Sequence, residues 1–305
     1  MSINRVESSA PGKLVLSGEY AVLAGAKAVV AAVDRRVVCS LQRRNKADWS
    51  FKSMGYVFES SHTLNELFRD LPDEDPARFI AHLSTPNTLP RHAAVTIDSS
   101  PFYLHKQKLG IGSSAAVTVA LGKALAALDG HEMGVEQLQQ AHRTFQRGVG
   151  SGLDVAAAYR GGVIVYQNNQ AETHGLDPNV HYGFVFAGES TQTSRMIARF
   201  NEWRGETTPA SLATLVSAAN GVAEASVKAN AFMTCMKDYI RALVQLDRDA
   251  QIGIFGPGHE AAMGLAERHG VLYKPAGLGA AIWALPLAPR ARRWRGLNAT
   301  SKNRV

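Results

Sequence analysis

The chain has 305 residues, 46% of them hydrophobic and 19% charged, and this composition excludes a globally disordered protein. Its net charge is +7, but residues 290–305 carry five arginines, one lysine and no acidic residue, so the remainder is nearly neutral. A nearly neutral body gives little reason to expect nucleic-acid binding, and we expect the basic tail to be solvated. The length exceeds that of a usual single core and predicts two domains.

The cysteines and the apolar segments indicate the cellular compartment in which we expect the protein. Cys39 and Cys235 lie far apart, so the sequence has neither the spacing of a zinc site nor a disulfide framework. The first residues lack the charged-then-apolar order of a signal peptide, and no apolar run reaches the roughly 18 residues of a membrane span. We therefore expect a cytoplasmic protein without a membrane span.

In the first half of the chain, alternating and apolar runs predict strands at Leu14–Leu16, Ala28–Val33 with its continuation Val37–Cys39, Ala93–Ile97 and Val163–Tyr166. Apolar residues at helical spacing and glycine breaks predict helices over 114–129, 134–147 and 152–159, with short helices in 63–84. The polar stretch 167–180 predicts a domain boundary, which gives domains over 1–175 and 176–289 and a basic tail over 290–305.

The second half is richer in predicted helices. A strand is expected at Tyr182–Ala187, followed by helices over 192–203, 209–229, 231–247 and 257–269 and by strands at Val271–Tyr273 and Ala281–Leu285. Strands mixed with segregated helices predict an α+β fold rather than a parallel doubly wound sheet.

The segment Lys108–Ala116 (KLGIGSSAA) places two glycines and two serines directly before a predicted helix. The first turn of a helix has free backbone N–H groups and a partial positive charge, and glycines let a polyanion approach them closely. The segment therefore predicts a phosphate cradle. An ordinary serine-capped turn remains an alternative. The segment lacks the Gly-Lys-Ser/Thr of a P-loop, and its relaxed dinucleotide fingerprint follows His105–Lys108 instead of an apolar strand.

Three further positions combine charge with glycine turns. Lys13 follows the rigid Pro11-Gly12 turn, where a lysine can hold a phosphate or simply be a solvated charge. Asp154 follows a glycine-rich run from Gly148 and begins a predicted helix, so it is a candidate general base or a favourable helix-start carboxylate. Lys274–Ala281 is a glycine turn between two strands, either a plain hairpin or a loop that closes over a ligand.

In this order, the segments resemble the GHMP kinase superfamily, named for galactokinase, homoserine kinase, mevalonate kinase and phosphomevalonate kinase. Pro11–Lys13 with Gly18–Tyr20 is similar to its first motif, Gly110–Ala116 to its second, and Lys274–Ala281 more distantly to its third. Ala141-His142 and the run from Gln146 to Ala156, together with Lys108 and Ser190–Ser194, are similar to its phosphomevalonate kinase branch. Mevalonate kinases carry a Mg²⁺-binding glutamate eleven residues before the aspartate, where this chain has Arg143.

The resemblance implies a two-domain α+β fold, with an N-terminal domain like domain 2 of ribosomal protein S5 and a ferredoxin-like helical C-terminal domain. It implies transfer of the ATP γ-phosphoryl group to a small phosphorylated substrate, with Mg²⁺, by a monomer or homodimer. Lys13 and Asp154 would be catalytic, and Ser113 and Ser114 would hold Mg²⁺. ATP would bind at Lys108, Gly110, Ile111, Gly112, Ser113, Ser114 and Ala115, and the substrate at Lys13, Ser151, Gly152, Arg195, Lys274 and Gly277.

The third motif departs from the family pattern. Ala276 replaces a hydroxyl residue, Leu278 is bulky, and Ala280 and Ala281 stand where the family has glycines. Two alternatives therefore stay open: a GHMP kinase for another small metabolite, such as mevalonate, a sugar or an amino-acid alcohol, and a non-catalytic nucleotide-binding homologue.

Overall fold

The computed structural model describes residues 4–45, 48–148, 150–186, 193–205, 208–276 and 280–286. The strands of these residues, numbered in chain order, are β1 Arg5–Ser17, β2 Ala28–Arg43, β3 Trp49–Met54, β4 Phe58–His62, β5 Ala93–Asp98, β6 Tyr103–Leu104, β7 Gln107–Lys108, β8 Val163–Gln167, β9 Gln170–His174, β10 Val180–Phe186, β11 Leu272–Pro275 and β12 Ala280–Pro286. The α-helices are α1 Arg78–Leu83, α2 Ser113–Leu128, α3 Val135–Phe145, α4 Leu153–Arg160, α5 Thr193–Arg204, α6 Ala210–Ala225, α7 Ala229–Ala250 and α8 Pro257–Arg268. The predicted α+β class is confirmed.

Contacts divide the chain into two units. The first contains the chain up to Leu14 and Val30–Glu172, and the second contains Val15–Val29 with the described residues from Thr173 on. Chain order alone did not indicate that the segment 15–29 belongs with the C-terminal half, because a long-range exchange of this kind leaves no local pattern.

The larger sheet has the strand order β4-β3-β5-β2-β8-β9, and β1 pairs with β2. Strands β3 and β5 run parallel, whereas β2 and β5 run antiparallel. In the first unit, helix α2 is buried around most of its circumference and packs against α3 and α4. Gly122 allows the close approach of α3, because a Cβ there would collide with the side chain of Leu138.

The second unit has a three-stranded antiparallel sheet in the order β10-β12-β11 and the packed helix pair α6 and α7. Apolar residues at helical spacing on α7 bury one face of the helix, with Tyr239, Leu243 and Leu246 all inaccessible to solvent. No helix of the described residues is both long and apolar enough to span a bilayer.

The structure adds strands that the sequence did not predict. In β3, Trp49, Phe51 and Ser53 are buried and alternate with more exposed residues, but the pattern is only six residues long and half polar. Strand β2 also runs without a break through Asp34–Arg36, where Asp34 and Arg36 are exposed and Arg35 is half-buried. Short strands, and strands with charged residues at their centre, give weak periodic signals, and this explains why the sequence did not predict these parts of the sheet.

Asp247 near the end of α7 holds the chain that follows the helix. Its buried carboxylate accepts hydrogen bonds from the backbone N–H groups of Gly253 at 2.8 Å, Ile254 at 2.9 Å and Phe255 at 2.9 Å. Hydrogen bonds to a charged acceptor are among the stronger ones in proteins.

Replacing Asp247 with alanine is expected to lower the free energy of unfolding by about 1–3 kcal/mol, because it leaves these backbone donors without their acceptor. Urea denaturation followed by circular dichroism measures the change. Asp249→Ala is the matched control, since Asp249 is exposed and accepts a 2.7 Å bond from the equally exposed Gln245. Equal losses of stability in the two variants would contradict the prediction.

Candidate active site

Two helices of the first unit, α2 and α4, follow a glycine with a positive φ. Gly112 precedes α2 with φ 81°, and Gly152 precedes α4 with φ 85°, a left-handed conformation that glycine adopts without strain. The first helical hydrogen bonds run from Ala116 N to Gly112 O and from Ala156 N to Gly152 O, each 3.1 Å. Because glycine has no side chain to cap a helix, the earlier N–H groups of α2 are left for another acceptor. This arrangement suits an anion.

The middle of β1 lies directly against the loop before α2. The backbone N–H of Lys13 donates to Ile111 O at 2.8 Å. A Cβ on Gly12 would lie 2.7 Å from the same oxygen, and a Cβ on Gly112 would lie 3.2 Å from Lys13 Cγ. Both glycines are therefore needed for the first and second sequence motifs to touch.

Lys13 and Asp154 form an ion pair at the junction of β1, the Gly112 turn and α4. Lys13 Nζ lies 2.8 Å from Asp154 Oδ1, and the two side chains are 14% and 36% exposed. The residual exposure leaves the carboxylate accessible to a small molecule. A lysine and a carboxylate that form an ion pair beside a helix N-terminus can neutralise and orient phosphate groups.

Side-chain burial alternates along the predicted ATP-binding loop. Ile111, Ser113 and Ala115 are buried, whereas Gly110, Gly112 and Ser114 are partly exposed. The buried members anchor the loop, so Ile111 and Ala115 can offer a ligand only their backbone. Lys108 is exposed at the end of β7.

Ser114 has a partner on α3 that sequence reasoning did not assign. His142 Nε2 lies 3.1 Å from Ser114 Oγ, and His142 is only 4% exposed. Burial lowers the pKa of His142, with Asp154 raising it and Lys13 lowering it, so the imidazole is neutral at pH 7. A neutral imidazole can accept a hydrogen bond from the serine hydroxyl, which leaves the oxygen lone pairs free for a cation.

The donors here fit Mg²⁺ bound jointly with a nucleotide. The Ser114 hydroxyl and the Asp154 carboxylate are hard oxygen donors, which Mg²⁺ prefers, and Mg²⁺ commonly takes its other ligands from phosphates and water. Among the described residues, no group of three or more His, Cys, Asp or Glu side chains forms a cage that would hold a metal by itself.

The Ser151-Gly152 turn is held from beneath by two side chains. Gln139 Nε2 donates to Gly152 O at 3.2 Å, and the Tyr166 hydroxyl donates to Ser151 O. Burial raises the pKa of Tyr166 to about 12, so the phenol stays protonated and remains a donor. The turn immediately precedes Asp154 and therefore fixes the start of α4. In the sequence, Gln139 and His142 are polar residues next to the apolar Leu138 and Ala141, a pattern too common in helices to have identified them.

The remaining predicted substrate residues belong to the second unit or lie outside the described residues. Lys274 is 1% exposed, and its ammonium donates to the Glu19 carboxylate, to Pro275 O at 2.7 Å and to Val15 O at 3.3 Å. Its role in substrate binding stays a prediction that would require these bonds to be exchanged. Arg195 lies in α5, and Gly277 lies outside the described residues.

Comparison with known proteins gives the family. Residues 78–162, which contain the Gly112 turn, His142 and Asp154, match the model of the GHMP kinase N-terminal domain. The chain carries a GHMP kinase N-terminal domain. The predicted resemblance is therefore confirmed, although the roles of the individual site residues stay predictions.

Curated relatives of this chain bear two names. It is 29% identical to phosphomevalonate kinase of Saccharolobus solfataricus over 65% of this chain and 62% of that one. It is 29% identical to mevalonate kinase of Aeropyrum pernix over 53% and 51% of the two chains. It is 27% identical to phosphomevalonate kinase of a Streptomyces species over 88% and 86%. The first two matches thus span less than two thirds of those relatives.

The fold is shared with solved GHMP kinases. Streptococcus pneumoniae phosphomevalonate kinase, in complex with phosphomevalonate and AMPPNP, superposes with a TM-score of 0.70 and 17% identity over 93% of each chain. This agreement confirms the predicted two-domain GHMP kinase fold.

Gly112→Ala in the GHMP kinase domain is expected to lower turnover and ATP affinity about 10- to 100-fold, because the new methyl group presses on Lys13 and misplaces it. Gly130→Ala is the matched control, since Gly130 has φ 78° and nothing within 4 Å of the added Cβ. Both variants carry the left-handed strain of about 1–2 kcal/mol. Steady-state kinetics and thermal unfolding of both proteins separate the two effects. Equal loss of turnover in the two would contradict the prediction.

Proposed function

We propose that this protein transfers the γ-phosphoryl group of ATP to the phosphate of phosphomevalonate and releases ADP and diphosphomevalonate. The observation that carries the proposal is the Lys13–Asp154 ion pair of 2.8 Å against the glycine turn that opens α2. A phosphate cradle, a cation and an accessible carboxylate in contact with one another are the parts that phosphoryl transfer requires.

In this mechanism the free N–H groups of Ser113, Ser114 and Ala115 bind the ATP phosphates. Ser114 and Asp154 would hold Mg²⁺ together with the nucleotide, and the cation would supply positive charge that offsets the phosphate charge. Lys13 neutralises charge on the transferring group, and Asp154 orients the acceptor. An acceptor phosphate oxygen bonds to the γ-phosphorus while the bond to the β-phosphate oxygen breaks. Because a phosphate acceptor is already largely ionised near neutral pH, Asp154 acts more by placement than by proton removal.

Two observations support phosphomevalonate as the acceptor. Relatives named phosphomevalonate kinase include one matched over most of both chains. Arg143 stands where the resemblance places a glutamate in mevalonate kinases. Mevalonate is the second candidate acceptor, because a mevalonate kinase is among the relatives at the same level of identity.

A panel assay tests the proposal. ADP release is measured with phosphomevalonate, mevalonate, homoserine and simple sugars as acceptors, and ATP binding is measured separately by calorimetry. Turnover confined to phosphomevalonate is the expected result. Turnover of another acceptor alone would replace the substrate, and ATP binding without any turnover would identify a non-catalytic homologue.

Cytoplasmic location and oligomeric state remain expectations from the sequence.

A further inference from the structure

Among the described residues, no anion is paired with Arg143 on α3. Its Nε is buried and has no hydrogen-bond partner among the described residues. None of the ion pairs that the described residues form includes Arg143. A buried guanidinium donor that is left unpaired is costly, so it calls for an explanation in ligand or solvent.

The position of Arg143 on α3 directs it to the candidate site. Gln139 precedes it by four residues, which places the two on the same helical face, and the Gln139 amide contacts Gly152 O. The adjacent His142 contacts Ser114. The face of α3 that carries these residues therefore looks onto the Ser151-Gly152 turn and the start of α2.

Electrostatics agree with this placement. The pKa of Tyr166 is raised by burial, lowered by the charge of Arg143 and raised by that of Asp154. Both charges thus lie within electrostatic range of the phenol that bonds to Ser151 O. Helix C-termini favour cations, but a dipole interaction does not require the guanidinium Nε to be buried.

We propose that the guanidinium of Arg143 binds the phosphate of the acceptor beside the Ser151-Gly152 turn and so selects a phosphorylated acceptor over the corresponding alcohol. This inference rests on the proposed function. An acceptor dianion must lie near the Asp154 carboxylate, and Lys13 already neutralises that carboxylate. A second, unpaired cation offsets the added charge, and the planar guanidinium donors match phosphate oxygens in geometry.

The test compares Arg143→Gln, Arg143→Lys and the matched control Arg147→Gln. Arg147 is four residues further along, its side chain is 80% exposed, and it pairs with Asp73 at 3.4 Å. Arg143→Gln is expected to raise the Kd and KM for phosphomevalonate about 10- to 100-fold. The KM for ATP and the Kd for mevalonate should stay within about twofold of the parent. Arg143→Lys should restore part of the loss, and Arg147→Gln should behave as the parent.

Calorimetry measures whether phosphomevalonate binds, and the kinetic assay measures whether it is phosphorylated. The role of Arg143 and the proposed function can therefore be refuted independently. A parent that phosphorylates phosphomevalonate, with an unchanged KM in Arg143→Gln, keeps the proposed function and overturns the role of Arg143. A parent that binds phosphomevalonate through Arg143 without phosphorylating it keeps that role and refutes the function. Equal losses for phosphomevalonate, mevalonate and ATP would mark Arg143 as structural and overturn the inference, and a parent that binds no phosphomevalonate overturns both.

Discussion

Asp154→Asn is expected to lower kcat by about 10²- to 10⁴-fold and to leave the affinity for ATP without Mg²⁺ nearly unchanged. Asparagine keeps the shape of the side chain but removes the charge that holds Lys13 Nζ at 2.8 Å. The acceptor then loses its orienting partner, whereas the backbone N–H groups at the start of α2 remain available to the nucleotide. Binding and chemistry are therefore expected to separate in this variant.

Single-turnover kinetics and calorimetric ATP binding measure the two effects of Asp154→Asn. Asp238→Asn is the control, because Asp238 also forms an ion pair, with Arg241 at 3.1 Å, but both side chains are highly exposed. Exposed pairs of this kind contribute little to stability or function. A variant that turns over as fast as the parent would make Asp154 only a favourable helix-start residue.

The site was more predictable from the sequence than much of the sheet was. Gly112 and Gly152 could be identified because left-handed helix starts select glycine strongly, and Asp154 was found because it follows such a start. Lys13 was found from the Pro11-Gly12 pair before it, although the turn predicted there is wrong, because both residues lie inside β1. The junction of Lys13 with Ile111 joins residues nearly a hundred positions apart, so only the resemblance to a family connected them before the structure did.

What escaped prediction depends on burial and long-range contact. His142 and Gln139 look like ordinary helix residues in sequence, and their roles follow from the groups they meet, Ser114 and Gly152. Lys274 was predicted at a ligand site from its resemblance to the family's third motif, and that role stays a prediction. In the second unit it lies in a buried ion pair with Glu19, whose other carboxylate oxygen accepts a 2.7 Å bond from Tyr239. Periodicity cannot reveal such pairings.

Lys13→Met is expected to lower kcat by about 10²- to 10³-fold, with a smaller effect on stability than on turnover. Methionine preserves most of the aliphatic stem that packs against the Gly112 turn but cannot neutralise the charge of the transferring phosphoryl group. Lys52→Met is the control, since Lys52 pairs with Glu59 at 3.1 Å in the same unit with both side chains exposed. Steady-state kinetics and thermal unfolding of the two variants provide the comparison.

The double variant Lys13→Met, Asp154→Asn decides whether the pair acts as one unit. If Lys13 positions Asp154 and Asp154 positions Lys13, the second substitution removes little that the first has not already removed. The double variant should then be about as slow as the slower single variant. Losses in kcat that multiply would show two independent contributions, and neither residue would then depend on the Lys13–Asp154 contact for its position.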